Sequence, residues 1–228
     1  MSAAPSVRHY RLTHRTRYSY PQEVTASYGR ALVLPRPGGG QQVHASKLEI
    51  TPEAAHTTEH RDYHGNTSSY FHVTQPHSNL QVQSSSVLSV TRRPADPERL
   101  PKVAWEVAAQ AVRTVFDGNS GGPSGAGALA IAEARLPSAS VEIDESVRTY
   151  AAASFGPGRT VVEVVQDLSR RIFADFTYRS GSTTVDTTLP QVLEHRMGVC
   201  QDFAHLLIGC VRSMGLSARY ISGYIETH

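Results

Sequence analysis

The sequence contains few cysteines, only Cys200 and Cys210 among 228 residues. Two thiols cannot supply the disulfide framework that stabilises many small secreted domains. If both lie on one helix, their Cα atoms are roughly 15 Å apart at 1.5 Å per residue, whereas a disulfide requires about 4.4 to 6.8 Å. We therefore expect two free thiols, which favours a reducing compartment and a cytoplasmic protein.

The sequence also lacks long apolar runs and an excess of charge of one sign. It has no run of 18 apolar residues, and its N-terminal stretch has no apolar segment of the kind found in signal peptides. We therefore expect no membrane association. The 22 basic residues nearly balance the 20 acidic ones, so charge gives no reason to expect a nucleic-acid partner.

The first third of the chain has the two-residue periodicity of β-strands. Tyrosine, leucine, histidine and threonine alternate with other residues, arginines among them, in YRLTHRTRYSY, which starts at Tyr10. Similar strands, separated by turns rich in proline and glycine, are expected within 24–35, 41–52, 61–74 and 80–94, with a hairpin turn at Gly65-Asn66. The prediction is a small antiparallel β-sandwich over residues 1–96.

Residues 97–228 are predicted to form a second domain, because the chain becomes proline-rich and polar at 92–101. A short helix and a flexible glycine-rich loop at 117–127 come first. Capping boxes then predict two helices, one that begins at Thr160 with Glu163 and one that begins at Thr188 and ends at Gly198. The apolar face of the first of these helices is expected to comprise Val161, Val164, Val165, Leu168, Ile172 and Phe173.

A last helix is predicted to begin near Cys200 and to end at Gly215. Its expected apolar face comprises Phe203, Leu206, Leu207, Cys210, Val211 and Met214. Residues 216–225, LSARYISGYI, are predicted to form a strand.

Cys200 has the sequence context of a reactive thiol. The first N–H groups of a helix lack partners and its N-terminus carries partial positive charge, so a thiolate is favoured there. We expect Gly198 to permit a sharp turn, and the Cys200 N–H to point at a developing oxyanion. The alternative is that Cys200 is a small buried apolar residue, which is the interpretation we give Cys210.

The segment GVCQDFAHLLIGCVRSMGLSARYISGY resembles the active-site segment of the transglutaminase-like superfamily in its bacterial branch. Upstream, HRTRYSYPQEVTASYGRALVLPRP and DYHGN are similar to the β-rich domain that precedes the core in these bacterial proteins. The resemblance implies an α+β fold, with the N-terminal antiparallel β-sandwich followed by an incomplete papain-like transglutaminase core.

The resemblance implies a Cys-His-Asp triad in which Cys200 is the nucleophile. The thiolate attacks a carboxamide or peptide bond, and an amine or water resolves the acyl-enzyme. The substrate would be a protein or peptide, and no cofactor or metal is implied. The supporting residues we expect are Gly198, Gln201, Asp202 and Tyr178. Asp202 either caps the helix or holds Arg219, whereas Tyr178 either donates to the oxyanion or packs in the core.

The histidine and aspartate of the family pattern follow the SGY strand, whereas this chain ends at SGYIETH. His228 stands too close behind the expected strand to match. His195 lies five residues before Cys200, where it either reaches the thiol or ends a helix in solvent. His205 is rotated about 140° from Cys200 and is expected to be structural.

We therefore expect a fragment, or a chain completed by another polypeptide or by a second copy through its unpaired core sheet. A catalytically inactive interaction module, whose β domain binds a protein, remains the alternative function. His56, His60 and His64 are spaced four apart and raise the idea of a metal site. Pro52 and Gly65 indicate strand and turn at these positions instead, so we interpret the three as exposed histidines.

Overall fold

The computed structural model of the chain describes residues 6–92, 96–116, 125–184 and 186–226. The chain divides into two compact units, residues 1–95 and 96–228. This division lies one residue from the expected boundary between 96 and 97. The described residues contain no helix long and apolar enough to cross a membrane.

The described residues of the first unit form six strands in two antiparallel sheets. The strands are β1 Ser6–Val24, β2 Ser27–Ala31, β3 Gln41–Thr51, β4 His56–Arg61, β5 Thr67–Val73 and β6 His77–Arg92. One sheet has the order β1-β6-β3 and the other the order β2-β5-β4. Ala31, Phe71 and Val73 from the second sheet pack against Leu80 and Val82 from the first. The predicted sandwich is confirmed, although β1 and β6 are longer than expected, at 19 and 16 residues.

The alternation expected in β1 is present, since half-buried residues such as Tyr10 and Leu12 alternate with exposed ones. The β4–β5 turn is closed by Asp62, whose carboxylate accepts the Asn66 N–H at 2.8 Å. Gly65 supplies the left-handed conformation there, with φ of 78°.

The second unit is mainly helical. Its helices are α1 Trp105–Phe116, α2 Ala126–Glu133, α3 Glu145–Ala152, α4 Val161–Asp175, α5 Leu189–His195 and α6 Cys200–Ser213, with short strands β7 Thr177–Tyr178 and β8 Met197–Gly198. A 3₁₀ turn at Pro97–Arg99 precedes them. Residues 93–95 of the expected linker and residues 117–124 of the expected flexible loop lie outside the described residues.

Both predicted capping boxes are present. The Glu163 carboxylate accepts the Thr160 N–H at 2.7 Å, and Gln191 Oε1 accepts the Thr188 N–H at 2.9 Å. The backbone N–H and the hydroxyl of Thr160 both donate to the charged carboxylate of Glu163, and they lower its pKa.

Three predictions in this unit are wrong. Phe173 is 89% exposed, because it follows buried Leu168 by five residues and so points about 140° away. Helix α5 ends at His195 rather than Gly198, because Arg196 adopts a left-handed conformation. Residues 216–225 form no strand, since no neighbouring strand among the described residues pairs with them.

The end of α6 is a Schellman motif. The Leu216 N–H bonds the Val211 carbonyl at 3.3 Å, and the Gly215 N–H bonds the Arg212 carbonyl at 2.9 Å. Leu216 and Val211 are both buried. Gly215 has a φ of 87°, a conformation that residues with a Cβ adopt only at a cost.

We expect Gly215→Ala to lower the free energy of unfolding of the second unit by about 1 kcal/mol. The cost is conformational, because an added Cβ would approach Ala109 no closer than 3.6 Å. Urea unfolding monitored by the fluorescence of Trp105, the only tryptophan, reports this unit. Gly223→Ala is the control, since Gly223 lacks a positive φ and has open space around it. Equal effects of the two changes would contradict the explanation.

Candidate active site

Helix α6 carries Cys200 at its first position and packs against α3, α4 and α5. Leu206 and Cys210 are completely buried in this interface. Cys200 lies at the end of the helix that the core does not cover, and it is exposed. The prediction that the helix begins at Cys200 is confirmed.

The first turn of α6 presents backbone donors beside Cys200. The Phe203 N–H bonds the Val199 carbonyl at 3.2 Å, which is the first bond of the helical ladder. The N–H groups of Cys200, Gln201 and Asp202 precede it and therefore have no acceptor within the helix. A carbonyl oxygen that becomes negative next to the thiol could accept from them.

The chain reaches Cys200 through a turn at Arg196. This residue has φ of 53° and ψ of 30°, and its carbonyl accepts the Thr177 N–H at 2.9 Å. Its guanidinium lies 4.9 Å from the Phe176 ring centroid and 5.3 Å from that of Tyr150. Asp175 also contributes, with a carboxylate oxygen 4.0 Å from the Arg196 guanidinium.

Tyr150 links this turn to the rest of the helical core. Its hydroxyl donates to Asp175 at 2.9 Å, and the Arg171 guanidinium lies 4.3 Å from its ring centroid. Burial, followed by the hydrogen bond to Asp175, raises the pKa of Tyr150. The neutral phenol therefore holds the carboxylate that pairs with Arg196.

Gly198 is required for a different reason from the predicted one. The sharp turn lies at Arg196, whereas Gly198 is paired with Tyr178 in a parallel bridge between β7 and β8. A Cβ at Gly198 would lie 3.0 Å from Cβ and Oδ2 of Asp202 and 3.1 Å from Cε1 of Phe203. The glycine thus allows β8 to approach the first turn of α6 closely.

Asp202 caps the helix, as one of the two sequence alternatives predicted. Its Oδ2 accepts the Val199 N–H at 2.8 Å and the Thr183 hydroxyl at 2.7 Å. The residue is buried, with 7% exposure, so these two donors replace water around its charge. Thr183 thereby ties the loop after β7 to the helix start.

Gln201 and Tyr178 are both exposed, and their role as supporting residues stays a prediction. Tyr178 is 62% exposed, so the prediction of a core tyrosine is wrong. Its backbone holds β7 beside β8, where the Arg179 N–H bonds the Gly198 carbonyl at 2.9 Å. Its position in the sequence signalled proximity to the site but not the direction of its side chain.

The described histidines include none that is hydrogen-bonded to Cys200. His195 is exposed at the end of α5, in agreement with the solvent-facing interpretation. His205 contacts the Tyr220 ring at a centroid distance of 5.1 Å, and burial lowers its pKa. His228 lies outside the described residues.

His56 and His60 lie in strand β4, whereas His64 lies in the following turn. The His60 ring stacks on Tyr70 at a centroid distance of 5.3 Å. Among the described residues, no group of three or more histidine, cysteine, aspartate or glutamate side chains is arranged to hold a metal ion.

Arg212 was not predicted as a supporting residue, although the sequence pattern includes an arginine near the helix end. Its guanidinium donates to the carbonyls of Ala218 and Leu136, both at 2.7 Å. The Ala218 N–H in turn bonds the Ala134 carbonyl at 3.0 Å. These bonds hold the segment after α6 against α2, and partial burial lowers the pKa of Arg212.

Two family models match this chain. Residues 10–89 match the bacterial transglutaminase-like N-terminal region, and residues 148–228 match the transglutaminase-like superfamily core. The first match covers most of the β-sandwich, and the second covers α4, α5 and α6 with Cys200. The chain belongs to the bacterial branch of the transglutaminase-like superfamily.

Similar proteins occur in mycobacteria. An uncharacterized protein of Mycobacterium tuberculosis is 45% identical over 223 residues, a match that covers 96% of this chain and 66% of the relative. An uncharacterized protein of Mycobacterium leprae is 31% identical over 220 residues, covering 95% of this chain and 71% of the relative. The chain thus spans just under two thirds of the length of the Mycobacterium tuberculosis relative.

A solved structure shares the fold. The crystal structure of a "Putative Cysteine Protease" from Cytophaga hutchinsonii superposes with a TM-score of 0.70 and 18% identity, covering 93% of this chain and 65% of that chain. At this identity the similarity establishes the fold alone. The match to the transglutaminase-like core and the shared fold of the solved structure together support a cysteine-based catalytic fold of the transglutaminase and papain type.

We expect an alkylating reagent to modify Cys200 in the folded protein and to modify Cys210 only after unfolding. Cys210 has 0% exposure, and burial raises its pKa to about 12. At pH 8 its thiolate fraction would therefore be roughly one in ten thousand. Iodoacetamide labelling followed by peptide mass mapping, with and without urea, measures both sites. Equal labelling of the two in native buffer would contradict the burial of Cys210.

We expect Asp202→Ala to destabilise the second unit by about 1 to 3 kcal/mol, because it leaves the Val199 N–H without its acceptor. Thr183→Val should lower the free energy of unfolding by less, because Asp202 then keeps its hydrogen bond from the Val199 N–H. Unfolding monitored by Trp105 fluorescence measures both variants. Gln201→Ala, in the same turn but exposed, is the matched control. If Gln201→Ala lowered the free energy of unfolding as much as Asp202→Ala, the hydrogen bond from Val199 to Asp202 would not explain the destabilisation.

Proposed function

We propose that this chain carries the nucleophile of a cysteine-dependent acyl-transfer enzyme, with Cys200 as the attacking residue. The observation that supports the proposal is the position of Cys200. It is exposed at the N-terminus of a helix whose other cysteine is buried. The substrate class is a protein or peptide that presents a carboxamide or an amide bond.

In the proposed reaction, the Cys200 thiolate attacks the carbonyl carbon. The carbonyl oxygen becomes an oxyanion, which the free N–H groups of the first turn of α6 can stabilise. The amine leaves with a proton, and a thioester remains on Cys200. Attack by water completes hydrolysis, whereas attack by a second amine completes transamidation.

The general base of this reaction is proposed to lie outside the described residues. Cys200 lacks a hydrogen-bonded histidine among them, and His195 and His205 occupy an exposed helix end and a contact with Tyr220. In such a reaction an imidazole takes the proton of the thiol and then donates it to the leaving amine. Turnover of amide substrates should therefore need a histidine that lies outside these residues.

The proposal predicts that this chain can still be acylated by an activated ester, whose leaving group needs no proton. With p-nitrophenyl acetate we expect a burst of one nitrophenolate per chain and one acetyl group on Cys200. The rapid phase measures acylation, and mass mapping locates the acetyl group. Deacylation should be slow without a base and should accelerate with added amine.

Cys200→Ser is expected to abolish the burst, whereas Cys210→Ala should leave it unchanged. A burst that survives Cys200→Ser, or acetyl groups spread over surface lysines with none on Cys200, would refute Cys200 as the nucleophile. It would favour the alternative of an inactive interaction module, for which the thiol has no special reactivity.

A further inference from the structure

The outward face of the β1-β6-β3 sheet carries a row of arginines. In β1 the odd-numbered residues are exposed, whereas the even-numbered residues from Tyr10 to Thr16 are half-buried. Arg11, Arg15 and Arg17 all occupy odd positions. This row and its cross-strand neighbours Gln81, Gln83, Lys47 and Glu49 form what we call the basic face.

Two of the arginines are oriented by glutamines of the central strand. Arg15 Nε donates to Gln83 Oε1 at 2.7 Å, and Arg17 Nε donates to Gln81 Oε1 at 2.9 Å. A guanidinium has five N–H donors, so each retains its Nη donors beyond this bond. The glutamines hold the two planar groups in place at little further loss of side-chain entropy on binding.

The charge on the basic face is not internally balanced. Its one carboxylate, Glu49, pairs with Lys47 at 2.8 Å. Among the described residues, no carboxylate forms an ion pair with Arg11, Arg15 or Arg17. Three positive charges therefore project from one strand face with no carboxylate partner in the part of the chain that the structure describes.

The spacing of these charges matches an extended chain. Alternate residues of a strand repeat at about 6.6 to 6.8 Å, which separates Arg15 from Arg17. Alternate side chains of an extended peptide have the same repeat. Carboxylates at every second residue could therefore meet successive arginines in the bidentate geometry that guanidinium groups favour.

We propose that the basic face binds an extended acidic polypeptide segment with carboxylates at alternate residues. A nucleic-acid strand fits less well, because no tyrosine, tryptophan or phenylalanine among the described residues of this face offers a ring on which a base could stack. Val87, which is 41% exposed opposite Arg11, instead offers an apolar contact. This inference does not depend on the reactivity of Cys200.

The test uses the purified chain and a fluorescein-labelled peptide of six Glu-Ser repeats. Fluorescence anisotropy at low ionic strength should show binding that weakens as salt screens the charges. The triple variant Arg11→Gln, Arg15→Gln, Arg17→Gln should bind at least roughly tenfold more weakly. The matched control changes three other exposed arginines in the same way, Arg61→Gln, Arg113→Gln and Arg170→Gln. It should stay within about twofold of the parent chain, since it removes the same net charge elsewhere.

Circular dichroism and Trp105 fluorescence establish that both triple variants are folded. Selective loss of peptide binding in the first variant supports the proposal. Equal losses in the two variants, or no binding by the parent chain, overturn it. Tighter binding of a twelve-residue thymidine oligonucleotide than of the acidic peptide, lost in the first variant, would assign the face to nucleic acid instead.

Discussion

Burial of one face of helix α6 is the constraint on which the geometry of the site depends. Val147 of α3, Val164 of α4 and Val192 of α5 are completely or almost completely buried in the core that surrounds Leu206. Removing such side chains from water is the main source of stability for the unit. Because the helix axis is fixed by this packing, the position of its first turn is fixed as well.

The same burial separates the two thiols. Cys210 lies in the middle of α6, where it is completely buried in the helical core, and its pKa is raised because a thiolate there would lose its hydration. Cys200 lies ten residues earlier, at the end that the neighbouring helices leave open. One amphipathic helix thus creates an inert thiol and an accessible one, with no specific feature needed at Cys200 beyond its position.

Contacts to the side chain of Arg196 stabilise the turn that precedes α6. The left-handed turn at Arg196 is unusual for a residue with a side chain. The surrounding groups compensate for it, since Phe176, Tyr150 and Asp175 all engage the guanidinium. Phe176 also packs edge-on against Phe203 of α6, with a centroid distance of 5.7 Å. The turn before Cys200 and the helix after it are therefore joined through one aromatic contact.

The features that the sequence predicted are those set by local chemistry. Capping boxes at Thr160 and Thr188, the start of α6 at Cys200 and its end at Gly215 depend on residues within a few positions of each other. The strand expected at 216–225 depends instead on a partner strand, which propensity alone does not supply. Its first residues are held by hydrogen bonds to α2 and Arg212 in place of a sheet.

The features that the sequence did not predict depend on tertiary contacts. The reason for Gly198 became evident only when β8 was seen to lie against Asp202, since a glycine before a helix suggests a turn in any sequence. The exposure of Phe173 and Tyr178 shows the same limit. An aromatic residue near an apolar face is assigned to the core by pattern, whereas its true direction depends on the neighbours that the fold brings to it.

Asp202 stabilises the helix start that carries Cys200. Its buried carboxylate lies in the first turn of the same helix, where its charge needs hydrogen-bond donors in place of water. The Val199 N–H and the Thr183 hydroxyl donate to that carboxylate, and the partial positive charge at the helix N-terminus favours its anionic form. In the proposed enzyme, an imidazolium beside the Cys200 sulfur would favour a thiolate. The histidine of the proposed enzyme would therefore act on the charge of the sulfur as well as in proton transfer.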